Sequence, residues 1–395
     1  MKKVLFVTLY PLETNTSVSQ SNIGIVEGLV DSGYDVTVLT PREQIFSNSR
    51  ANVINNKKYK TVRIDGGGLA NTHIGNSTTG IRNKIISWAK KVYQKVFIFG
   101  KTTGFYKQVA TVKLPDEYYD IILSTSDPKT SHVFVKKMIR KKGLRYGIWI
   151  QHWGDPLADD VSLKSLYPRC LLRKIEGNII KDADRIIYVS PFTLEHQKKH
   201  YPKSMKKMFF VPLPCRLSSD CVQKRNSGLH NEHLKICYAG DYNSKNRDII
   251  PLYDACKEAD YCSLTIAGTS DLMLEETANI RILPRVSQQE AIKIEEDSDV
   301  IISLGNLHGT QIPGKIYYSA AIKKPILMLL DGEYRDSLAD YLKLFNRYDM
   351  CYNDKESIIV ALNDIWKRRK KSYVVPECLT PINVAKRIVK DDEKK

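Results

Sequence analysis

Two stretches of this 395-residue chain put polar and charged side chains where a strand should end. The first covers residues 301–330, IISLGNLHGTQIPGKIYYSAAIKKPILMLL. Its apolar opening predicts a strand that stops at Gly305 and Asn306, a polar loop holding Thr310 and Gln311, and a helix over 313–322. Pro313 suits a first helical turn, where its missing N–H is not needed. Gly314 exposes backbone, and Lys315 adds a cation beside the free N–H groups of a helix start. That combination suits a diphosphate. A plain strand–loop–helix turn with a surface lysine would carry the same letters.

The second stretch, 148–156, reads IWIQHWGDP. A buried-type strand ends near Gln151, so His152 and Asp155 sit at its carboxyl end, the edge at which open α/β sheets bind ligands. A neutral imidazole there can hydrogen-bond a hydroxyl. Asp155 can orient it or a substrate, or simply serve the turn that Asp-Pro favours. His196 and His200 stand four apart on a helical stretch, a spacing able to hold zinc, but Glu195, Lys198 and Lys199 flank them as on a solvated face. No third ligand is evident, and no metal is expected. GxSxG, Walker A and GxGxxG are all absent, which removes the usual warrant for serine hydrolase, P-loop and dinucleotide-binding readings.

The elements that must position these groups alternate in type. Short β-branched runs predict strands at 4–8, 35–40, 61–64, 121–124, 146–151, 185–189 and 208–212, with helical spacing over 18–30 and 131–142. Residues 213–233, with Pro214, Gly228 and mixed charges, read as a linker. The alternation restarts with strands at 235–240, 263–267, 280–283, 300–304 and 325–330 and helices over 249–258, 287–296, 313–322 and 355–370. Continuous apolar strands separated by helices indicate parallel sheets covered on both faces. The expected architecture is α/β with two doubly wound Rossmann-like domains. These are a first domain at 1–212, the linker, a second domain at 234–375, and a C-terminal segment 376–395 whose helix is expected to pack back on the first domain.

The chain carries 61 Lys+Arg against 44 Asp+Glu, a net charge of +17. Residues 1–212 hold 34 basic and 17 acidic side chains, so the whole excess lies there, while the remainder is neutral. The first domain should therefore meet something anionic: a membrane surface, a nucleic acid or an acidic substrate. Between Gly66 and Pro115 there is no Asp or Glu but eight Lys and Arg. Ile81, Ile85, Trp88, Val92, Val96 and Phe99 recur there at helical spacing, and Tyr93, Phe97, Phe105 and Tyr106 add aromatic bulk. Arg82, Lys84, Trp88, Lys91 and Lys95 are thus candidates for contact with an anionic bilayer. The same stripe would equally serve to pack the helix on its own domain. No RNP or KH-type motif accompanies the charge, so no nucleic-acid partner is expected. No CxxC pair, convincing signal peptide or apolar run of spanning length is present. The expected location is cytoplasmic, with any membrane contact peripheral.

In order and spacing these pieces resemble GT-B glycosyltransferases, and among them the bacterial family 4 (group 1) enzymes. Strand, Gly305-Asn306, loop, Pro313-Gly314-Lys315, helix and Lys323-Lys324-Pro325 resemble that family's donor-site signature. The opening strand with Gly33-Tyr34-Asp35-Val36-Thr37-Val38-Leu39-Thr40 resembles its first two strands. Asp182-Ala183-Asp184-Arg185, Phe210-Val211-Pro212, Cys237-Tyr238-Ala239-Gly240 and Leu264-Thr265-Ile266-Ala267-Gly268 resemble later ones. The resemblance runs along nearly the whole chain. It implies two domains facing a cleft, the donor mainly on the second and the acceptor on the first. It also implies transfer from a nucleotide-sugar, with retention and without metal or other cofactor.

On the same resemblance, Lys315 with the Pro313–Lys315 backbone meets the diphosphate, and His152 lies near the donor sugar. Tyr318 stands where the family carries a ribose-binding Glu, with Thr310 eight residues before it. Asp241 replaces the usual Arg, leaving Lys245 and Arg247 to serve instead, and Thr16-Ser17 replace a Gly-Gly pair in the acceptor-side loop. The expected activity is hexosyl transfer from a UDP- or GDP-type sugar to a lipid-linked or polysaccharide acceptor in envelope or capsular glycan synthesis. A nucleotide-sugar epimerase of the same shape, and a nucleotide-sugar-binding protein that has lost catalysis, are the alternatives.

Overall fold

The computed structural model describes residues 1–14, 16–42, 58–65, 98–160, 163, 165–215, 233–368 and 373–390. Contacts divide the chain into two compact units, Met1–Pro212 with Val384–Lys395, and Leu213–Asn383.

The first unit holds strands β1 (Lys3–Val7), β2 (Asp35–Pro41), β3 (Lys60–Ile64), β4 (Tyr118–Thr125), β5 (Arg145–Trp153), β6 (Arg185–Tyr188) and β7 (Met208–Phe210). They form one sheet in the order β3-β2-β1-β4-β5-β6-β7, with every pairing parallel. Helices α1 (Ser17–Asp31), α2 (Thr130–Lys142), α3 (Arg169–Ile180) and α4 (Pro191–His200) connect them. Strand β1 shows why its apolar run is unbroken. Val4 and Phe6 pack on one face with Ile25, Val26 and Leu29 of α1, whereas Leu5 and Val7 pack on the other with Phe134, Val135 and Met138 of α2. The chain's last helix, Pro381–Val389, adds Val384, Ala385 and Ile388 to the α1 face.

The second unit follows the same plan. Strands β8 (Leu234–Ala239), β9 (Cys262–Ala267), β10 (Ile280–Leu283), β11 (Val300–Leu304), β12 (Ile326–Leu330) and β13 (Asp349–Tyr352) lie in the order β10-β9-β8-β11-β12-β13, again all parallel. Between them run α5 (Ile250–Glu258), α6 (Gln288–Asp297), α7 (Lys315–Tyr318), α8 (Arg335–Lys343) and α9 (Lys355–Arg368), and the terminal helix Pro381–Val389 is α10. In each sheet the order reverses beside its first strand, between β1 and β4 and between β8 and β11. Such switch points open a crevice at the carboxyl ends of the strands.

Helix α7 is much shorter than the 313–322 helix that the spacing predicts. Four residues are α-helical, a 3₁₀ turn follows at Ser319–Ala321, and Ile322 is already extended at φ −76° and ψ 124°. Pro325, which cannot continue a helix and biases the residue before it toward extended backbone, sits just beyond. Helices α3 and α8 and strand β13 are additions to the elements expected from sequence. The aromatic bulk of the acid-free segment is partly structural, since Phe105 is fully buried and Tyr106 packs beside it. Arg82, Lys84, Trp88, Lys91 and Lys95, the Gly66–Gly68 run and most of the linker lie outside the described residues. Among the described residues no helix is long and apolar enough to cross a membrane, and Cys170, Cys215, Cys237, Cys256, Cys262, Cys351 and Cys378 are free thiols.

Candidate functional site

At the switch point of the second sheet, loops from four strands meet at backbone distance. A Cβ on Gly268 would lie 2.0 Å from the Gly240 carbonyl oxygen, so the turns after β9 and β8 touch there. Gly332 has φ +72°, and a Cβ on it would lie 2.4 Å from the Asn306 carbonyl oxygen. Only glycine fits both the angle and the space.

Asn306 is fixed on its other side by polar bonds. Its Oδ1 accepts from Arg247 Nε at 2.9 Å, its Nδ2 donates to the Gln311 carbonyl at 2.9 Å, and the neighbouring Leu307 N–H donates to Asn246 at 2.8 Å. The expected residues Gly305, Asn306, Gln311 and Arg247 are therefore brought together, and Lys245 lies exposed on the same turn as Arg247. Thr310 and Pro313 are buried.

Lys315 opens α7 beside the end of β8. Its ammonium donates to the Ala239 carbonyl and forms a 2.7 Å ion pair with Glu295 of α6. Its charge is thus compensated, a feature the sequence pattern did not show because Glu295 lies twenty positions upstream. Tyr318 folds back over the start of the helix, so that a Cβ on Gly314 would sit 3.0 Å from its hydroxyl. Asp241 binds the Thr269 N–H at 2.9 Å and Arg285 at 3.2 Å, which gives it a loop-bracing role.

Near the carboxyl end of β5, one strand beyond the switch point of the first sheet, His152 has 2% exposure, and neither ring nitrogen has a hydrogen-bond partner among the described residues. Burial lowers its pKa to about 4, so the ring is neutral at pH 7. His132 of α2 is buried beside it, with Nδ1 2.8 Å from Ser124 Oγ and its ring 4.5 Å from that of Trp153. Burial, with His152 and Lys129 nearby, likewise depresses its pKa well below the usual imidazole value.

Asp155 belongs to a ring of three carboxylates with Asp127 and Asp160, and the Lys129 ammonium lies among them, 2.7 Å from Asp127 and 2.8 Å from Asp160. The lysine takes the position a metal would need. Its pKa is raised: burial opposes the charge, but Asp127, Asp160 and Asp155 outweigh it. Lys129 stands in an Asp-Pro-Lys run one residue after β4, the signal in the sequence that marks it. Thr16 proves to be the N-cap of α1, accepting from the Ser19 N–H at 3.2 Å, and Ser17 is the first helical residue.

A second convergence lies on the far side of the β5 loop. His196 and His200 share one face of α4, as their spacing implied, and the loop brings Asp159 to them, with His196 Nδ1 3.7 Å from Asp159 Oδ2.

No family model matches the sequence, and no curated protein matches it. Solved structures do match. The catalytic domain of starch synthase IV from Arabidopsis thaliana, bound to ADP and acarbose, is similar at a TM-score of 0.63 and 10% identity, covering 98% of this chain and 95% of that one. Alr3699/HepE of Anabaena, in complex with UDP and glucose, is similar at 0.54 and 9% identity over 98% and 95% of the two chains. A glycosyltransferase from Rickettsia africae is similar at 0.52 and 12% identity over 98% and 93%. The fold is the α/β architecture of these GT-B proteins, two Rossmann-like domains each built on a parallel sheet.

Proposed function

We propose that the chain is a glycosyltransferase that takes its sugar from a nucleoside diphosphate donor held at the switch point of the second sheet. The observation that carries this reading is a pair of cations at the carboxyl ends of adjacent strands, Arg247 bonded to Asn306 after β11 and Lys315 at the end of β8, on loops closed by glycine. Cations and backbone amides fixed in advance at that edge stabilise the negative charge that grows on a departing nucleoside diphosphate as the sugar gains oxocarbenium character. The neutral, buried His152 supplies a hydrogen bond to a sugar hydroxyl. Support also comes from HepE, which binds UDP and glucose on the same architecture. The finer reading is a UDP- or GDP-sugar donor, metal-independent transfer with retention, and a lipid-linked or polysaccharide acceptor of envelope glycan synthesis.

A thermal-shift panel of UDP-, GDP- and dTDP-sugars tests the donor site, because a ligand that binds only the folded chain raises its apparent stability. One nucleotide class should raise the midpoint. Arg247→Ala and Lys315→Ala should each weaken that binding by about 10- to 100-fold, the loss of about 1.4–2.8 kcal/mol of charge-assisted hydrogen bonding. Lys315→Ala leaves Glu295 unpaired, so its folding is checked first by circular dichroism. A flat response to every nucleotide, or unchanged binding in both variants, would overturn the assignment. Labelled donor should then pass its sugar to a lipid or polymer fraction.

A further inference from the structure

We propose that Asp159, His196 and His200 form a zinc site in the first unit, with two imidazole nitrogens and one carboxylate oxygen as ligands and water in the fourth position. The three ligand atoms lie within 4.8 Å of one another. His196 Nδ1 and Asp159 Oδ2 are 3.7 Å apart, too far for a hydrogen bond and close to the ~3.4 Å that separates two ligands of a tetrahedral zinc with bonds of about 2.0–2.1 Å. His196 Nδ1 is buried and has no hydrogen-bond partner among the described residues, which is costly unless something else occupies its lone pair. The two rings meet edge-on at 76° with centroids 4.5 Å apart, so their nitrogens can converge without the rings colliding. A donor set of two imidazoles and one carboxylate favours zinc over the harder magnesium and calcium.

The ligands are also braced from behind. Glu176, wholly buried in α3, accepts from the N–H groups of Leu157 and Ala158 at 3.0 and 3.1 Å, directly before Asp159. The same carboxylate accepts from the Tyr201 hydroxyl at 3.0 Å, directly after His200. One buried group therefore fixes the chain on both sides of the site. Arg173 Nη2 stands 3.3 Å from Asp159 Oδ1, which orients the carboxylate with Oδ2 toward His196. Such outer partners set the direction of first ligands in metal sites generally. The neighbouring Asp127, Asp155 and Asp160 make no second site, because Lys129 already lies among them. Zinc would tie the β5 loop, which carries Asp155 and Asp160, to α4.

The test uses the full chain, stripped with a chelator, incubated with zinc chloride, desalted and assayed for metal by plasma emission. The expected result is one zinc per chain. Cobalt in its place should give the intense visible bands of a four-coordinate ion. His196→Ala, His200→Ala and Asp159→Asn should each weaken zinc binding by at least about 100-fold in competition with a chromophoric chelator, and Glu176→Gln by about 10-fold or more. His308→Ala, in the other unit, should bind as the parent does. His200 is partly exposed, so its variant is the one expected to fold without difficulty. Failure to retain zinc, or retention undiminished in the folded His200→Ala variant, would overturn the proposal.

Discussion

An imidazole buried at the carboxyl end of β5 without a hydrogen-bond partner among the described residues is tolerated only while it is neutral. Burial holds the pKa of His152 at about 4, against 6.5 in the unfolded chain. Below pH 6.5 the unfolded chain takes up a proton that the native ring refuses until the pH nears 4. Stability is therefore intact above pH 6.5, declines as the pH falls from 6.5 toward 4, and loses nothing further from this residue below that. The full loss amounts to roughly 3 kcal/mol. Urea unfolding of the parent and of His152→Asn between neutral pH and about pH 4.5 should show a shallower decline in the variant. Equal slopes would place the pH dependence elsewhere, first of all in the adjacent His132. The same neutrality suits the proposed role, since an uncharged ring can accept or donate a hydrogen bond to a sugar hydroxyl without attracting the anionic donor.

At the scale of elements, the turn that carries Lys315 and Tyr318 depends on a residue far along the chain. Arg347 is 1% exposed, and its guanidinium donates to the carbonyls of Ala320 at 2.8 Å, Lys324 at 3.1 Å and Ile322. These carbonyls lie where α7 and its 3₁₀ turn stop short, and among the described residues only that of Ile322 also accepts a backbone bond there, from the Lys324 N–H at 2.8 Å. Arg347→Met should cost about 3–5 kcal/mol in urea unfolding, because buried carbonyls lose charged donors. Arg347→Lys should recover little of it, since one ammonium cannot reproduce a planar fork with several donors. A variant within about 0.5 kcal/mol of the parent would show that the turn holds itself.

This dependence also explains what was legible beforehand. Strands are legible because a parallel sheet buries both faces, as the apolar runs Val4–Val7 of β1 and Ile326–Leu330 of β12 display. Helix α7 is shorter than its spacing predicts because its end is set by Pro325 and Arg347 rather than by its own apolar period. Asn306 and Lys315 could be picked out from a strand end and spacing, and Arg247 only through the family resemblance. Glu295, the partner of Lys315, and Asp159, which faces His196, could not, because side chains brought together by the return of a distant element leave no local pattern.

For the molecule as a whole, the excess of +17 belongs to residues 1–212, and the same unit is the one the chain revisits at its end. Val384, Ala385 and Ile388 of α10 are fully buried among Val4, Phe6, Ile25 and Val36, and Arg185, stacked 4.3 Å over the Phe209 ring, donates to the Lys390 carbonyl. The first unit's core is therefore completed by residues that follow the second unit in sequence. Removing residues 381–395 strips those apolar side chains from the α1 face, a loss of about 5 kcal/mol at 1.5–3 kcal/mol for each large one. Against the 5–15 kcal/mol typical of a domain, that leaves the first unit close to unfolding, and its self-repelling positive charge works in the same direction. The truncated chain should bind a hydrophobic dye and lose near-ultraviolet circular dichroism, while the ellipticity of its helices persists. Added salt should restore part of the loss by screening the like charges. If truncation left both the midpoint and the cooperativity of unfolding unchanged, α10 would be a passenger on that face. The expected result is instead that residues 1–212 fold stably only when 381–390 are supplied, for example fused behind them through a short flexible linker.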